Sequence, residues 1–159
     1  MLTNEEMKYL KRAVELAREA LEKGDQPFGS VLVSEEGEIL YEDHNHVSSG
    51  DHTQHPEFNL ARWAGQNMTE EERMNATVYT SGEHCVMCAA AHGNNKLGRI
   101  IYASSSKQLG EWKKEFGVKN EGHVINRPIQ EVIRKTEVIG PVLEFTEEIK
   151  ELQRAFWTK

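Results

Sequence analysis

The chain has 159 residues, which is enough for one domain with its own hydrophobic core. Acidic residues outnumber basic ones by 26 to 19, the formal net charge is −7, and the basic residues are scattered, which argues against an extended nucleic-acid groove. No apolar run reaches eighteen residues and the N-terminus is acidic, so we expect a cytoplasmic protein without a membrane span or a secretory signal.

Hydrophobic periodicity and turn residues predict an alternation of helices and strands. Thr3 and Glu6 form a capping box for the first helix, and Pro56 suits the first position of the second. In chain order, the predicted elements are a helix over 3–23, strands at 30–33 and 38–41, a loop with four histidines over 44–55, a helix from Pro56 to about Gly65, a strand at 76–80, a turn at 81–82, a helix over 85–96, a strand at 99–103, a helix over 107–116 and a final helix that Thr146 caps. Residues 117–141 fit either a helical turn or an edge strand. The alternation favours a central sheet with helices on both faces.

Cys85 and Cys88 are the two cysteines of the chain, and they form a C-x-x-C pair at the start of a predicted helix. The amides and dipole of a helix N-terminus lower the pKa of a thiol, and zinc binds thiolates. The pair alone is compatible with four interpretations. It fits a redox pair of the thioredoxin type, a closed structural zinc site completed by His52 and His55, a catalytic zinc site, or two buried cysteines without a ligand.

A segment thirty residues upstream, His55-Pro56-Glu57, favours the catalytic zinc site. Proline keeps the preceding His55 out of helical geometry, which leaves its imidazole free at the mouth of the helix. One histidine and two cysteines are three ligands, and the fourth tetrahedral position stays open for water. Two thiolates cancel the charge of zinc, so its bound water is less acidic than the water of a three-histidine site. A neighbouring carboxylate, Glu57, is therefore needed to take the proton of that water.

The pattern of His55, Glu57, Cys85 and Cys88 resembles that of the cytidine-deaminase-like zinc deaminases. The similarity covers most of the chain. Residues 27–33 look like the first strand of that family, and residues 78–88 look particularly like the corresponding segment of bacterial guanine deaminases. The resemblance implies a single CMP/dCMP-type deaminase domain over residues 1–159. The implied fold is α/β, a three-layer α/β/α sandwich with a central mixed sheet of about five strands.

The resemblance also implies a set of site residues. One Zn²⁺ per chain, with a catalytic water, would be held by His55, Cys85 and Cys88, and Glu57 would move protons to and from that water and the substrate. The expected substrate-binding residues are Asn45, which would hydrogen-bond the base, Phe28, which would line or stack on its face, His84, and the segment Glu111 and Trp112. Family members associate through helices that flank the sheet, so a homodimer is expected.

Two residues depart from the family pattern. His84 stands where a proline usually precedes the first cysteine, and we expect it at the rim of the pocket as a polar or titrating group. Pro56 stands where a small residue usually offers its N–H to a substrate carbonyl. Because proline has no N–H, a substrate recognised through that carbonyl, such as cytosine, is disfavoured.

The leading hypothesis is therefore a hydrolase acting on C–N bonds in cyclic amidines. Its substrate would be a small aminated heterocycle, with guanine, converted to xanthine and ammonia, as the best single candidate. A transfer-RNA adenosine deaminase shares the motif, but the last predicted helix is acidic, with Glu147, Glu148 and Glu151, and binding of nucleic acid or membrane is not expected. A cytosine or cytidine deaminase and an inactive zinc-binding module are the two remaining hypotheses.

Overall fold

A computed structural model describes residues 1–119 and 121–159 of the protein. The helices are α1 (Asn4–Glu22), α2 (Pro56–Asn67), α3 (Glu70–Met74), α4 (Val86–Asn94), α5 (Ser106–Glu115) and α6 (Thr146–Trp157). The strands are β1 (Gly29–Val33), β2 (Ile39–His44), β3 (Thr77–Gly82), β4 (Arg99–Ser104) and β5 (Val138–Ile139). Among the described residues, no helix is both long and apolar enough to span a bilayer.

The five strands form one mixed sheet in the order β2-β1-β3-β4-β5. Strand β1 pairs antiparallel with both β2 and β3, whereas β4 runs parallel to β3 and β5. Val31 of β1 lies opposite Tyr79 of β3, and Tyr79 lies opposite Ile101 of β4. The predicted mixed sheet of about five strands is thus confirmed.

Helices cover both faces of the sheet because successive strand residues point to opposite sides. On one face, Val31, Tyr79 and Ile101, which lie side by side on three strands, pack in one core with α1, α5 and α6. On the other face, Leu32 and Val78 pack with α2 and with Leu97, which follows α4. The predicted three-layer α/β/α sandwich is confirmed. The first residues of α2, next to His55, and of α4, next to Cys85, both lie on the second face.

Helix α1 lies so close to β1 that only glycine fits at Gly29. A Cβ at this position would lie 2.3 Å from the carbonyl oxygen of Ala13 and 2.5 Å from the Cβ of Leu16. The capping box of Thr3 and Glu6 is present at the start of this helix, with hydrogen bonds of 2.9 and 3.1 Å, as predicted.

The structure corrects several predicted boundaries. Helix α3 was not predicted, although Thr69 and Glu72 form a capping box there. The predicted turn at 81–82 is the end of strand β3. The residues left open between 117 and 141 contain a 3-10 turn (Ile129–Glu131) and β5.

The predicted cap at Thr146 is wrong. Thr146 is the first residue of α6, and Phe145, the last residue of a preceding 3-10 turn, occupies the cap position. The Thr146 hydroxyl is buried and has no hydrogen-bond partner among the described residues. The turn delivers the chain into the helix directly, so a capping side chain is not what starts α6.

Candidate active site

Three metal-ligand side chains converge where α2 and α4 begin. His55 is the N-cap residue of α2, Cys85 is the N-cap residue of α4, and Cys88 lies in the first turn of α4. The Nδ1 atom of His55 lies 3.5 Å from each sulfur, and the two sulfurs lie 3.5 Å apart. Tetrahedral zinc with ordinary bond lengths keeps such donor atoms about 3.6–3.8 Å apart. The spacing and chemistry of the three donors therefore fit one zinc ion.

The backbone explains why these side chains are free to point at a common centre. His55 and Cys85 both have extended backbone angles, and neither side chain caps its own helix. Pro56 at the first helical position enforces the extended geometry of His55.

Electrostatics in the cluster favour thiolate formation at one cysteine first. Hydrogen bonding with the Cys88 thiol lowers the pKa of Cys85 to about 4. The pKa of Cys88 is raised because that neighbouring sulfur ionises first and because Cys88 is buried. The same thiolate, by hydrogen bonding, raises the pKa of His55. A divalent cation removes this conflict, since it stabilises both thiolates together.

Glu57 lies beside this cluster and is almost completely buried. Ser30 donates a 2.9 Å hydrogen bond to its Oε1 atom, and the Thr80 hydroxyl lies 3.1 Å from the same oxygen. Burial raises the pKa of Glu57 to about 7, and the two hydroxyls only partly offset that effect. A carboxyl group with this pKa can accept and return a proton near neutral pH.

A cavity of about 280 Å³ opens onto these groups. Its size suits a single small ring system rather than a drug-sized ligand, for which pockets of about 300–1,000 Å³ are usual. The lining residues are Phe28, Asn45, His55, Pro56, Glu57, Glu83, Cys85, Ser106, Leu109, Gly110, Lys113 and Asn126. The structure thus brings Phe28 and Asn45 together with His55, Glu57 and Cys85 around one cavity.

Glu111 and Trp112 do not line the cavity. Trp112 is buried in the core beneath α5, and Glu111 is exposed. Helix α5 does reach the cavity, but through the face that carries Ser106, Leu109, Gly110 and Lys113. Helix α5 therefore lies at the cavity, but Glu111 and Trp112 are on the wrong faces of this helix to reach it. Spacings of three and four residues on α5 could have identified the right face.

His84 is not at the rim of the pocket. It is 1% exposed, and its ring packs edge-on against the ring of His92 at 5.4 Å between centroids. Burial lowers the pKa of His84 well below its usual value, so the ring is neutral. The position before the first cysteine points into the protein, behind the metal ligands, and the expectation of a rim residue is corrected.

The polar cavity residues that were missed in the sequence include Glu83, Asn126 and Lys113. Glu83, which follows β3, accepts hydrogen bonds from the backbone N–H of Ser106 at 2.9 Å and of Ile129 at 3.0 Å. Asn126 accepts a 3.1 Å hydrogen bond from the N–H of Val86, the first residue of α4. Both side chains close the cavity by attaching distant segments to it, which sequence spacing does not reveal.

Lys113 is the third missed residue, and it brings a positive charge to the cavity. Its Nζ atom lies 4.2 Å from the ring centroid of Trp157, and partial burial lowers its pKa. Among the described residues, no carboxylate pairs with it. The ammonium group can therefore donate to an electronegative atom of a bound molecule.

Comparison with known proteins shows similarity to zinc-binding deaminases. The model of the cytidine and deoxycytidylate deaminase zinc-binding region matches residues 3–104. A probable cytosine deaminase from Schizosaccharomyces pombe is 28% identical over 144 residues, covering 90% of this chain and 88% of the relative. A tRNA-specific adenosine deaminase from Buchnera aphidicola is 32% identical over 109 residues, covering 69% of this chain and 72% of the relative.

Solved structures are similar over almost the whole chain. The guanine deaminase from Bacillus subtilis is 26% identical, covers 94% of this chain and 93% of its own, and superposes with a TM-score of 0.59. The guanine deaminase from Nitrosomonas europaea superposes with a TM-score of 0.73 over 100% of this chain and 87% of its own. That structure is 18% identical, so it shows the shared fold alone.

Proposed function

The chain belongs to the cytidine and deoxycytidylate deaminase zinc-binding family, and from this premise we propose that it is a hydrolytic deaminase of a small aminated nucleobase or related heterocycle. We propose guanine as the first substrate to test. The observation that carries the proposal is the presence of three zinc donors, His55, Cys85 and Cys88, and one buried carboxylate, Glu57, at a single cavity of base size.

Glu57 is assigned the proton transfers. His55, Cys85 and Cys88 would hold a zinc ion, and the chemistry that this ion would supply is an activated water as the nucleophile. Glu57 accepts a proton from the nucleophile, donates it to a ring nitrogen, and passes a second proton to the departing amine, so that ammonia and a keto product leave. Its pKa of about 7 suits both directions of transfer, and Ser30 and Thr80 hold the carboxylate in place.

The cavity residues are assigned the binding of the ring. Phe28 offers a flat apolar face, and Asn45, which is 1% exposed, offers an amide to the edge of the base. Lys113 donates to a carbonyl oxygen or a ring nitrogen. A ring that carries both a carbonyl and an exocyclic amine, as guanine does, satisfies this set of groups.

Pro56 supports guanine over cytosine. It lines the cavity at the first position of α2, where its missing N–H removes one donor for a substrate carbonyl such as that of cytosine. The similarity to the Bacillus subtilis guanine deaminase over nearly the full length supports the same choice.

Adenosine in transfer RNA is the second candidate substrate, favoured by the 32% identity to the Buchnera aphidicola enzyme. Helix α6 carries Glu147, Glu148 and Glu151, which repel a phosphate backbone. We therefore rank a free base above transfer RNA. We also propose that the protein works as a homodimer in the cytoplasm, and sedimentation equilibrium of the zinc-loaded protein tests the dimer.

The test of the proposed function is ammonia release by the zinc-loaded protein. The substrates are guanine, adenine, cytosine, their nucleosides, aminated triazines and pterins, and an anticodon stem-loop with a wobble adenosine. We expect turnover of guanine, slower by about 10²–10⁴ in Glu57→Gln. Turnover of the stem-loop alone would replace the proposal by the second candidate. A folded, zinc-loaded protein without turnover of any substrate would overturn it in favour of a binding module.

A further inference from the structure

A second group of metal-ligand side chains lies away from the candidate active site. Asp25, in the turn after α1, lies close to His44, the last residue of β2, and to His46, two residues further along the chain. One donor atom from each of the three residues lies within 4.8 Å of the others. None of them is a ligand of the first centre, and the proposed deamination uses none of them.

Hydrogen bonds leave one ring nitrogen of each histidine available as a ligand. Nδ1 of His44 lies 2.8 Å from the carbonyl oxygen of Asn45, so Nδ1 carries the proton and Nε2 has the free lone pair. Nε2 of His46 lies 2.8 Å from Oδ1 of Asp43, which leaves Nδ1 free. Asp43 is itself held by Asn59, 3.0 Å away. Such outer acceptors fix the ring orientation of metal-binding histidines.

Asp25 contributes a buried carboxylate without a cation. It is 4% exposed, and its Oδ1 atom accepts a 2.8 Å hydrogen bond from the N–H of Ser48. In the part of the chain that the structure describes, Asp25 forms no ion pair. A buried, unpaired carboxylate is costly, and a bound cation would offset that cost.

We propose that Asp25, His44 and His46 form a second divalent-metal site. Two imidazoles and one carboxylate suit a first-row transition ion, and zinc is the occupant we expect. Ligation at about 2.0–2.2 Å requires donors about 3.3 Å apart, so the group must close by about 1–1.5 Å. His46 can make this movement because its side chain is 44% exposed, and the rotation shifts its hydrogen bond to Asp43.

Lys23 competes with the metal for this position. Its Nζ atom lies 3.2 Å from Nε2 of His44, where the ammonium donates to the lone pair that a metal would use. Lys23 is exposed and has a long flexible stem, so it can swing away when a metal binds. The competition makes the second site weaker than the thiolate site, and removal of the lysine should tighten it.

The second site lies next to the proposed substrate pocket. Asn45 stands between the two histidines, lines the cavity, and accepts a 3.0 Å hydrogen bond from the N–H of Val47. A metal on His44 and His46 would fix the loop that carries Asn45. We therefore expect its loss to raise KM while kcat is nearly unchanged.

The test counts zinc in the full-length protein after equilibration in a buffer with free zinc at a few micromolar. We expect two zinc ions per chain in the wild type and one in both His46→Gln and Asp25→Asn. Asparagine keeps the oxygen that accepts from Ser48, so the second variant stays folded. His52→Gln is the matched control, since His52 is exposed on the same loop, and it should keep two ions.

Cobalt separates the two centres spectroscopically. The first equivalent should give thiolate-to-cobalt charge-transfer absorption, and the second should add only weak bands from nitrogen and oxygen ligands. Lys23→Met should tighten binding of the second equivalent several-fold.

One zinc per chain in the wild type overturns the proposal, as does equal loss of zinc in His46→Gln and His52→Gln or an unchanged affinity in Lys23→Met. Because zinc counting requires no turnover, this result is independent of the proposed deamination.

Discussion

Ser30 donates a 2.9 Å hydrogen bond to Oε1 of Glu57, which links strand β1 to the first turn of helix α2. The bond fixes the carboxylate relative to the sheet as well as to its own helix. Thr80 on β3 approaches the same oxygen at 3.1 Å. The proposed proton carrier is therefore held by two strands, and its orientation does not depend on the ends of flexible side chains.

Glu57→Gln should lower kcat by about 10²–10⁴, the usual contribution of general acid–base catalysis. The amide oxygen can still accept from Ser30, so the fold and the zinc content should be unchanged. Steady-state ammonia release and zinc analysis on the same preparation check both points. A variant with kcat within about threefold of the wild type would contradict the role of Glu57.

Pro56→Ala should change the choice of substrate. Alanine restores an N–H at the first position of α2, a residue that lines the cavity. A hydrogen bond to a substrate carbonyl is worth about 1–1.5 kcal/mol, so the ratio of kcat/KM for cytosine to that for guanine should rise about tenfold. Competition assays with both bases measure the ratio, and an unchanged ratio would exclude the contribution of this N–H.

Lys113→Met should weaken substrate binding. Methionine keeps the apolar stem against Trp157 but removes the ammonium that lines the cavity. We expect KM to rise about five- to tenfold, equivalent to one hydrogen bond, with a smaller change in kcat. Lys114→Met, on the exposed side of α5, is the matched control and should leave both constants unchanged. Equal effects in the two variants would indicate a general loss of charge.

Stability should fall on acidification because of His92. Its ring is 1% exposed, and burial lowers its pKa from 6.5 to about 4. His92 binds a proton more readily in the unfolded chain than in the folded one. The stability that the neutral His92 ring contributes is therefore fully present above about pH 6.5. It is lost by about pH 4, with a decrease in the free energy of unfolding on the order of 3 kcal/mol.

His92→Gln tests this assignment at constant zinc. The amide can replace the 2.8 Å hydrogen bond from Nε2 to the carbonyl oxygen of Gly98. Urea unfolding between pH 4 and 7.5 should show a smaller decrease than in the wild type. Some decrease should remain, since the neighbouring His84 also has a lowered pKa. Identical pH dependence in both proteins would refute the assignment to His92.

Gly29→Ala should destabilise the protein by about 3 kcal/mol, as overpacking against a fixed backbone does. The new methyl group would meet the backbone of α1 at 2.3 Å, and either the helix or the strand would have to move. Gly110→Ala is the control, because no heavy atom lies within 4 Å of its Cβ position and glycine weakens a helix. The control should gain about 0.5–1 kcal/mol in urea unfolding. Comparable losses in the two variants would argue against the close approach.

The sequence allowed prediction of those features that depend on neighbours along the chain. The sheet and its covering helices follow from local periodicity, and the positions of His55 and Cys85 at helix starts follow from Pro56 and the C-x-x-C pair. Helix α3 was missed because none of its residues is buried, so it has no apolar period. The prediction of secondary structure failed where a short element has no buried residue.

Site residues brought in by distant segments were the other failure. Glu83 and Asn126 line the cavity, and their side chains accept hydrogen bonds from backbone N–H groups 23 to 46 residues away. Trp112 was assigned to the cavity although burial of its large ring in the core outweighs any other placement. The face of α5 that lines the cavity carries Ser106, Leu109, Gly110 and Lys113, and their spacing of three and four residues was not used in the prediction.

The position of the three zinc donors at two helix starts has a consequence for how the protein acquires its metal. Helices α2 and α4 are anchored in the core by Leu60, Ala61 and Ala89, so packing of the helices can bring the three donors together without a metal. Zinc-finger peptides must fold around their ion, whereas we expect the ion to enter a finished site here. Metal exchange should then follow ligand protonation and access through the cavity, and its rate should be independent of the rate at which the domain unfolds.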